Sequence, residues 1–271
     1  MIIIGEKING SIPSVAEAIK NRDAEFIKQR AIAQTEAGAT YIDCCASVSE
    51  DIEVETMKWM IECIESVSDL PIAVDSPSPD VLAEVYKFCS RPGIINSVSG
   101  EGDKIEKLFP ILAQPENKKW EVVALLSDDR GIPKTAEERL EVLERIMGKA
   151  KEYGIAPNRI HIDPLVEMLC TADDGMSLVE EVIAETRKRY PTIHITSAIS
   201  NISFNLPAKK MVNIGFTVLA MKAGLDCGIL DPCIRDMMGV IYATEALLGM
   251  DDMCMEYISA FREGLFGPKK D

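Results

Sequence analysis

"PIAVDSPSPDVLAEV", residues 71–85, holds a complete structural unit. An apolar run, Ile72 to Val74, ends in Asp75, and Ser78 then stands before Pro79. Serine there can accept a bond from an orphan amide of a first helical turn, and proline at the next position gives up an amide that the turn leaves unused. The segment therefore reads as a strand that ends in an acid and turns directly into a helix. If that unit recurs along the chain, the fold is built from it.

It does recur. Strand-like runs lie at 2–5, 39–44, 71–76, 92–98, 120–127, 158–164, 192–200 and 225–231, each followed by a longer stretch of helical period. Two further helix starts read as capping boxes, Ser14 with Glu17 and Thr135 with Glu138. Gly38, Gly154 and Gly224 fall where helices should end in a left-handed residue. Eight parallel βα units in 271 residues predict a (β/α)8 TIM barrel, one domain over 1–271, better than an open doubly wound sheet. The first unit agrees, since Gly5 and Gly10 in "IGEKINGSIP" have the wrong spacing for a dinucleotide-binding loop.

Composition narrows the partners. A formal charge of -15 and a pI near 4.7 disfavour nucleic acid and anionic membranes, and no basic patch offsets them; Arg187, Lys188 and Arg189 read as a solvated helix end. The opening "MIIIGEKING" lacks the apolar length of a signal peptide and no run approaches a membrane span, so a cytoplasmic protein is expected. Its eight cysteines include no CxxC, and the only histidines, His161 and His194, lie on separate strands, so neither a disulfide framework nor a bound metal is expected.

A barrel carries its site at the carboxyl ends of its strands. Those ends hold Glu6 and Asn9, Asp43, Asp75, Asn96, Ser127 with Asp128, Asp163, Ser200 with Asn201, and Asp231. Any one of them could be a turn former, and Asp231 before Pro232 reads best that way. The shared shape of "AVDS", "IINS" and "HIDP" argues for a common purpose. In "YIDCC", alternation turns Asp43 and Cys45 into the barrel and Cys44 outward, so the thiols should not act together. Carboxylates and carboxamides with little lysine or arginine suit a neutral heterocycle such as a pterin, although a sugar or a metal-bound acid could use the same groups.

The order of "IIIGEKING", "VDS", "INS", "KLFP", "GIPK", "IDPL" and "SNIS" resembles that of the pterin-binding (β/α)8 methyltransferases, specifically the methyltetrahydrofolate:corrinoid methyltransferases, over nearly the whole chain. The resemblance implies methyl exchange between N5 of tetrahydrofolate and the cobalt of a corrinoid. It implies that Asp75, Asn96 and Asp163 hold the pterin and that Asn201 sits near N5 as the catalytic amide. Glu6, Asn9, Asp43, Cys45, Ser127, Ser200, Phe204 and Lys209 would line the pocket or stand behind it. Cys45 replaces an amide usual in the family, and Phe204 a polar side chain. Both make the surroundings of N5 less polar and lean the reading toward methyl-corrinoid plus tetrahydrofolate giving 5-methyltetrahydrofolate.

The alternatives are the opposite direction, a dihydropteroate synthase, for which Lys209 and Lys210 are the tempting cations, and a non-catalytic folate-binding barrel. No D-x-H-x-x-G signature is present, so the corrinoid is expected on a separate protein docked over the strand ends. Acidic loops at Asp128, Asp129, Asp173 and Asp174 are candidates for choosing that partner. The apolar stretch 211–224 is a candidate homodimer face.

Overall fold

The computed structural model describes residues 1–172 and 175–268. Eight parallel strands form one sheet: β1 Ile2–Gly5, β2 Tyr41–Cys45, β3 Ile72–Asp75, β4 Ile94–Gly100, β5 Glu121–Asp128, β6 Ile160–Asp163, β7 His194–Ile195 and β8 Cys227–Leu230. They are ordered β7-β6-β5-β4-β3-β2-β1-β8. The two sheet ends meet through an Ala198–Ile229 bridge and a 2.9 Å bond from the Ile229 amide to the Ser197 carbonyl, which closes a barrel.

Around it lie α1 Pro13–Lys20, α2 Ala24–Glu36, α3 Glu50–Glu65, α4 Pro79–Val85, α5 Lys104–Ala113, α6 Ala136–Glu152, α7 Ser177–Arg189, α8 Lys209–Ala223, α9 Arg235–Leu247 and α10 Met255–Glu263. The strands are short, buried and rich in isoleucine and valine, as expected when helices cover the sheet. Outward residues such as Ile3, Ile42, Cys44, Val74 and Val122 pack with Met57, Ile61, Leu82, Phe109 and Leu143 of the helices. Each such side chain contributes roughly 1.5–3 kcal/mol by leaving water. Inward residues Ile4, Ala73, Ile94, Val123 and Cys227 fill the barrel's middle.

Several local expectations hold. Ser78 accepts from the Val81 amide and Thr135 from the Glu138 amide, while Gly38, Gly154 and Gly224 take positive φ angles of 90°, 69° and 126°. The Glu138 carboxylate reaches back to the Lys134 amide, one residue before the expected one.

Three expectations fail. Ser14 caps nothing, because α1 already begins at Pro13 and the residue at its cap position is Ile12. β7 has two residues instead of nine, and Ile199–Ser203 forms a 3-10 turn. The alternation in "TIHITSAIS" mimics a strand, but the chain leaves the ladder after Ile195 and bonds irregularly to both neighbours. Arg187 is no solvated helix end: it donates to the carbonyls of Pro191, Ile193 and Gly224 and pairs with Asp226, tying α7 to the start of β8.

The end of the barrel opposite the mouth is polar. His161 and His194 stack with ring centroids 4.7 Å apart. His161 Nε2 lies 2.6 Å from the Glu121 carboxylate, and His194 Nδ1 lies 2.9 Å from that of Asp226. Tyr41 also donates to Glu121. No helix among the described residues is long and apolar enough to cross a membrane.

Candidate active site at the strand ends

Most of the acids singled out in the sequence lie at the barrel's carboxyl end. The register places Cys45 beside Asp75 and Asp75 beside Asn96, so β2, β3 and β4 present a thiol, an acid and an amide on one level. Asp163 ends β6, across from Leu125 of β5. The chain beyond β1 pairs again with β2, the Gly10 amide bonding the Cys45 carbonyl at 2.9 Å, and this brings Asn9 over Asp43. A Cβ on Gly10 would lie 1.9 Å from the Ala46 carbonyl oxygen, so this close approach requires glycine.

The acids perturb one another. Asp43 is buried, and burial, then the charges of Asp75 and Glu6, hold its carboxyl well above the usual range; an Asn9 bond opposes the rise only in part. Its Oδ1 has no hydrogen-bond partner among the described residues. Asp75 is pushed up to about 6 by burial, with the charge of Glu53 adding to the rise and the Cys45 thiol, donating to it, opposing it. Burial also pushes the Cys45 thiol up, so it acts as a donor and not as a nucleophile. Glu6 is raised mainly by burial, and the Ser200 hydroxyl donates to it at 3.1 Å across the mouth.

Asp163 is pushed up to about 6 by burial, with the Leu165 amide, 2.8 Å from its Oδ1, opposing the rise. The mouth thus offers three carboxyls, Asp43, Asp75 and Asp163, that burial biases toward the protonated form. Together with Asn96 they provide acceptors and donors for a ring edge carrying both.

The remaining assignments divide. Ser127 is buried and donates to Glu101 at 2.8 Å. Asn201 is exposed on the 3-10 turn, at the rim and not at the depth of the acids. With Ile132, Val166, Glu167, Met168, Thr171 and Phe204 it lines a depression of about 270 Å³. Phe204 is exposed, and the Lys209 ammonium sits 5.1 Å above its ring. Lys210, the other tempting cation, pairs with Asp236 at 2.6 Å.

Asp231 accepts from the Cys233 amide, the turn role expected of it. Asp128 is no free acidic loop: it is buried and held by Arg130 and Arg145, whose bonds keep its carboxyl below the usual range. Asp129 accepts from the Gly102 amide, and Asp173 and Asp174 lie outside the described residues. Clefts of about 390 and 460 Å³ along α6 and α7 are larger than the rim depression but contain no strand-end residue.

Sequence reasoning missed Glu53, Glu101 and Arg139. Glu53, on α3, is buried behind Asp75 and accepts from Ser76. A charged residue within a helix carries no local sign that it faces inward. Only the helix's position in the barrel turns Glu53 and Arg139 toward the mouth.

Fold and site together define a barrel with a cup of carboxyls and amides at its strand ends. Residues 5–231 match the family described as pterin binding enzyme, and the chain belongs to that family. Within it, the chain is 48% identical over 268 residues, 99% of its own length and 98% of the relative's, to the methylcorrinoid:tetrahydrofolate methyltransferase of Eubacterium limosum. It is 32% identical to the methionine synthase of Mycobacterium leprae (strain TN) over 85% of its own length, spanning about a fifth (20%) of that larger protein. Its fold matches a Yersinia pestis dihydropteroate synthase solved with a pterine-sulfa conjugate, with a TM-score of 0.66 and 16% identity over 92% of this chain and 94% of that one. A second dihydropteroate synthetase, solved with a product, matches at a TM-score of 0.68, again with 16% identity and over 92% and 94% of the two chains.

Proposed function

We propose that the protein transfers a methyl group from a methylated corrinoid, carried on a separate protein, to N5 of tetrahydrofolate. The observation that carries this reading is the set Asp75, Asn96 and Asp163 at one barrel mouth, in a chain 48% identical throughout to a methylcorrinoid:tetrahydrofolate methyltransferase.

In this reading Asp75, Asn96 and Asp163 bind the pterin's ring N–H, amine and acceptor atoms, and the buried Asp43 stands behind them. Asn201 closes over N5 from the rim, with Glu6 and Ser200 fixing the turn that carries it. The N5 lone pair forms the new bond to the methyl carbon; the old bond's electron pair stays with cobalt, and the N5 proton leaves to solvent. Orientation is the main task of the barrel, because no covalent intermediate on the protein is needed. The thiol of Cys45 and the ring of Phe204 leave N5 without a strong proton donor, which suits attack by a neutral amine. A dihydropteroate synthase would need cations for pyrophosphate, and pairing with Asp236 occupies Lys210.

The corrinoid protein would cover the rim beside Ile132, Phe204 and Lys209. Exposed Met211 and Leu219 on α8 and Leu247 on α9 support a homodimer, which light scattering would test. The deciding experiment follows the visible spectrum of cobalamin. Methylcobalamin with tetrahydrofolate should lose its methyl group faster than methyltetrahydrofolate loses one to cob(I)alamin; the reverse order overturns the direction. Unchanged activity in both N201A and D163N would overturn the site. Product from dihydropterin pyrophosphate and p-aminobenzoate would favour the synthase.

A further inference from the structure

Arg139 is completely buried in the first turn of α6, against the loop that follows the end of β6. Its Nη1 donates to the carbonyls of Pro164 at 2.6 Å and Leu165 at 2.7 Å, and its Nε to that of Pro133 at 3.0 Å. Its Nη2 reaches the Glu167 carboxylate at 3.1 Å, which Lys134 also holds. A guanidinium is costly to bury, and an apolar side chain of similar volume would fill a core without that cost. Here several of its donors go to main-chain oxygens of two loops at the barrel mouth.

Leu165 shows what they hold. Its φ of 62° lies in the left-handed region, which is strained for a residue with a branched side chain. The residue is pinned on both sides, its amide by the Asp163 carboxylate at 2.8 Å and its carbonyl by Arg139. Four residues on, the Leu169 amide bonds the Ile202 carbonyl at 3.0 Å, joining the same loop to the turn that carries Asn201.

We infer that Arg139 is a positioning residue for the folate site: by gripping the Pro164 and Leu165 carbonyls it fixes the Asp163 carboxylate toward the ligand and seats the loop against the Asn201 turn. The inference rests on the reading that Asp163 meets the pterin. Arginine is needed because its planar fork spans carbonyls that a lysine ammonium would reach one at a time. Its charge also opposes the rise that burial imposes on Asp163.

The test uses the full chain carrying R139K or R139A, with folding checked by circular dichroism and tetrahydrofolate binding measured by titration at pH 5.5 to 8. R139K should fold and bind tetrahydrofolate about tenfold more weakly, the scale of one lost bond to a charged donor, with kcat changed far less than KM. R139A should in addition move the acidic limb of the binding profile to higher pH, because Asp163 loses its facing cation. Added guanidinium should reverse that movement. A folded R139K with unchanged KM, or an R139A profile that does not move, overturns the assignment; should R139A not fold, R139K decides alone. Wild-type protein that binds no tetrahydrofolate overturns the folate reading and this assignment with it, whereas wild-type binding with unmoved variants overturns this assignment only.

Discussion

Replacing Asp163 by asparagine should strengthen the fold while it weakens the site. Burial raises the Asp163 carboxyl from its ordinary 3.8 to about 6, so the folded protein holds that proton more tightly than the unfolded chain does. A raised carboxyl contributes stability that is fully present below the unfolded pKa and is lost as pH rises through the folded one. At about 1.4 kcal/mol per tenfold change in proton affinity, keeping this group ionised above pH 6 costs the fold roughly 3 kcal/mol. Asparagine keeps an oxygen for the Leu165 amide and carries no charge. D163N should therefore match the wild type in urea unfolding near pH 4 and exceed it by about 1–3 kcal/mol at pH 8. The same variant should bind tetrahydrofolate more weakly. A stability difference independent of pH, or a D163N protein less stable than wild type at pH 8, would refute the burial argument.

Three further outcomes follow. His194 is raised above its ordinary 6.5, chiefly by its bond to Asp226, so its protonation stabilises the fold at low pH and that support fades as pH rises past its folded pKa. D226N should bring the value down, and with only two histidines in the chain the shift can be followed directly in the imidazole proton NMR signals. Cys45→Asn restores an amide beside Asp75 and should raise the rate of methyltetrahydrofolate demethylation relative to tetrahydrofolate methylation; an unchanged ratio would remove Cys45 from the account of direction. Thr135→Ala deletes the 3.2 Å cap of α6 and should cost about 1 kcal/mol in urea unfolding.

The barrel was legible in the sequence because its units are local: an apolar run, an acid at its end, then a capped helix, as at Ile72 to Val85. The acids of the cup were legible for the same reason, each marking the point where a strand meets the mouth. What escaped depends on distance along the chain. Asp128 reads as a free surface acid although Arg130 lies only two residues on, because the fold that curls Arg130 back and brings Arg145 of α6 to 2.7 Å leaves no local mark. Arg139 carries no sign of its role in the sequence, since only the folded barrel sets it against Pro164. Ser14 misled because Pro13 is itself a good first helical residue, which moves the cap position back to Ile12. The overlong β7 arose because alternation in "HITSAIS" fits both a strand and a chain that leaves one.

The brevity of β7 bears on the site. A strand with two ladder residues is the least secured stave of the barrel, and the seam beside it is closed by few bonds, among them Ile229 to Ser197 and Ser200 to Glu6. Asn201 rides on the segment just beyond it. In the proposed reading, then, the residue assigned to N5 hangs from the shortest ladder of the barrel, while the acids assigned to the pterin stand on the longer ladders of β2, β3 and β6.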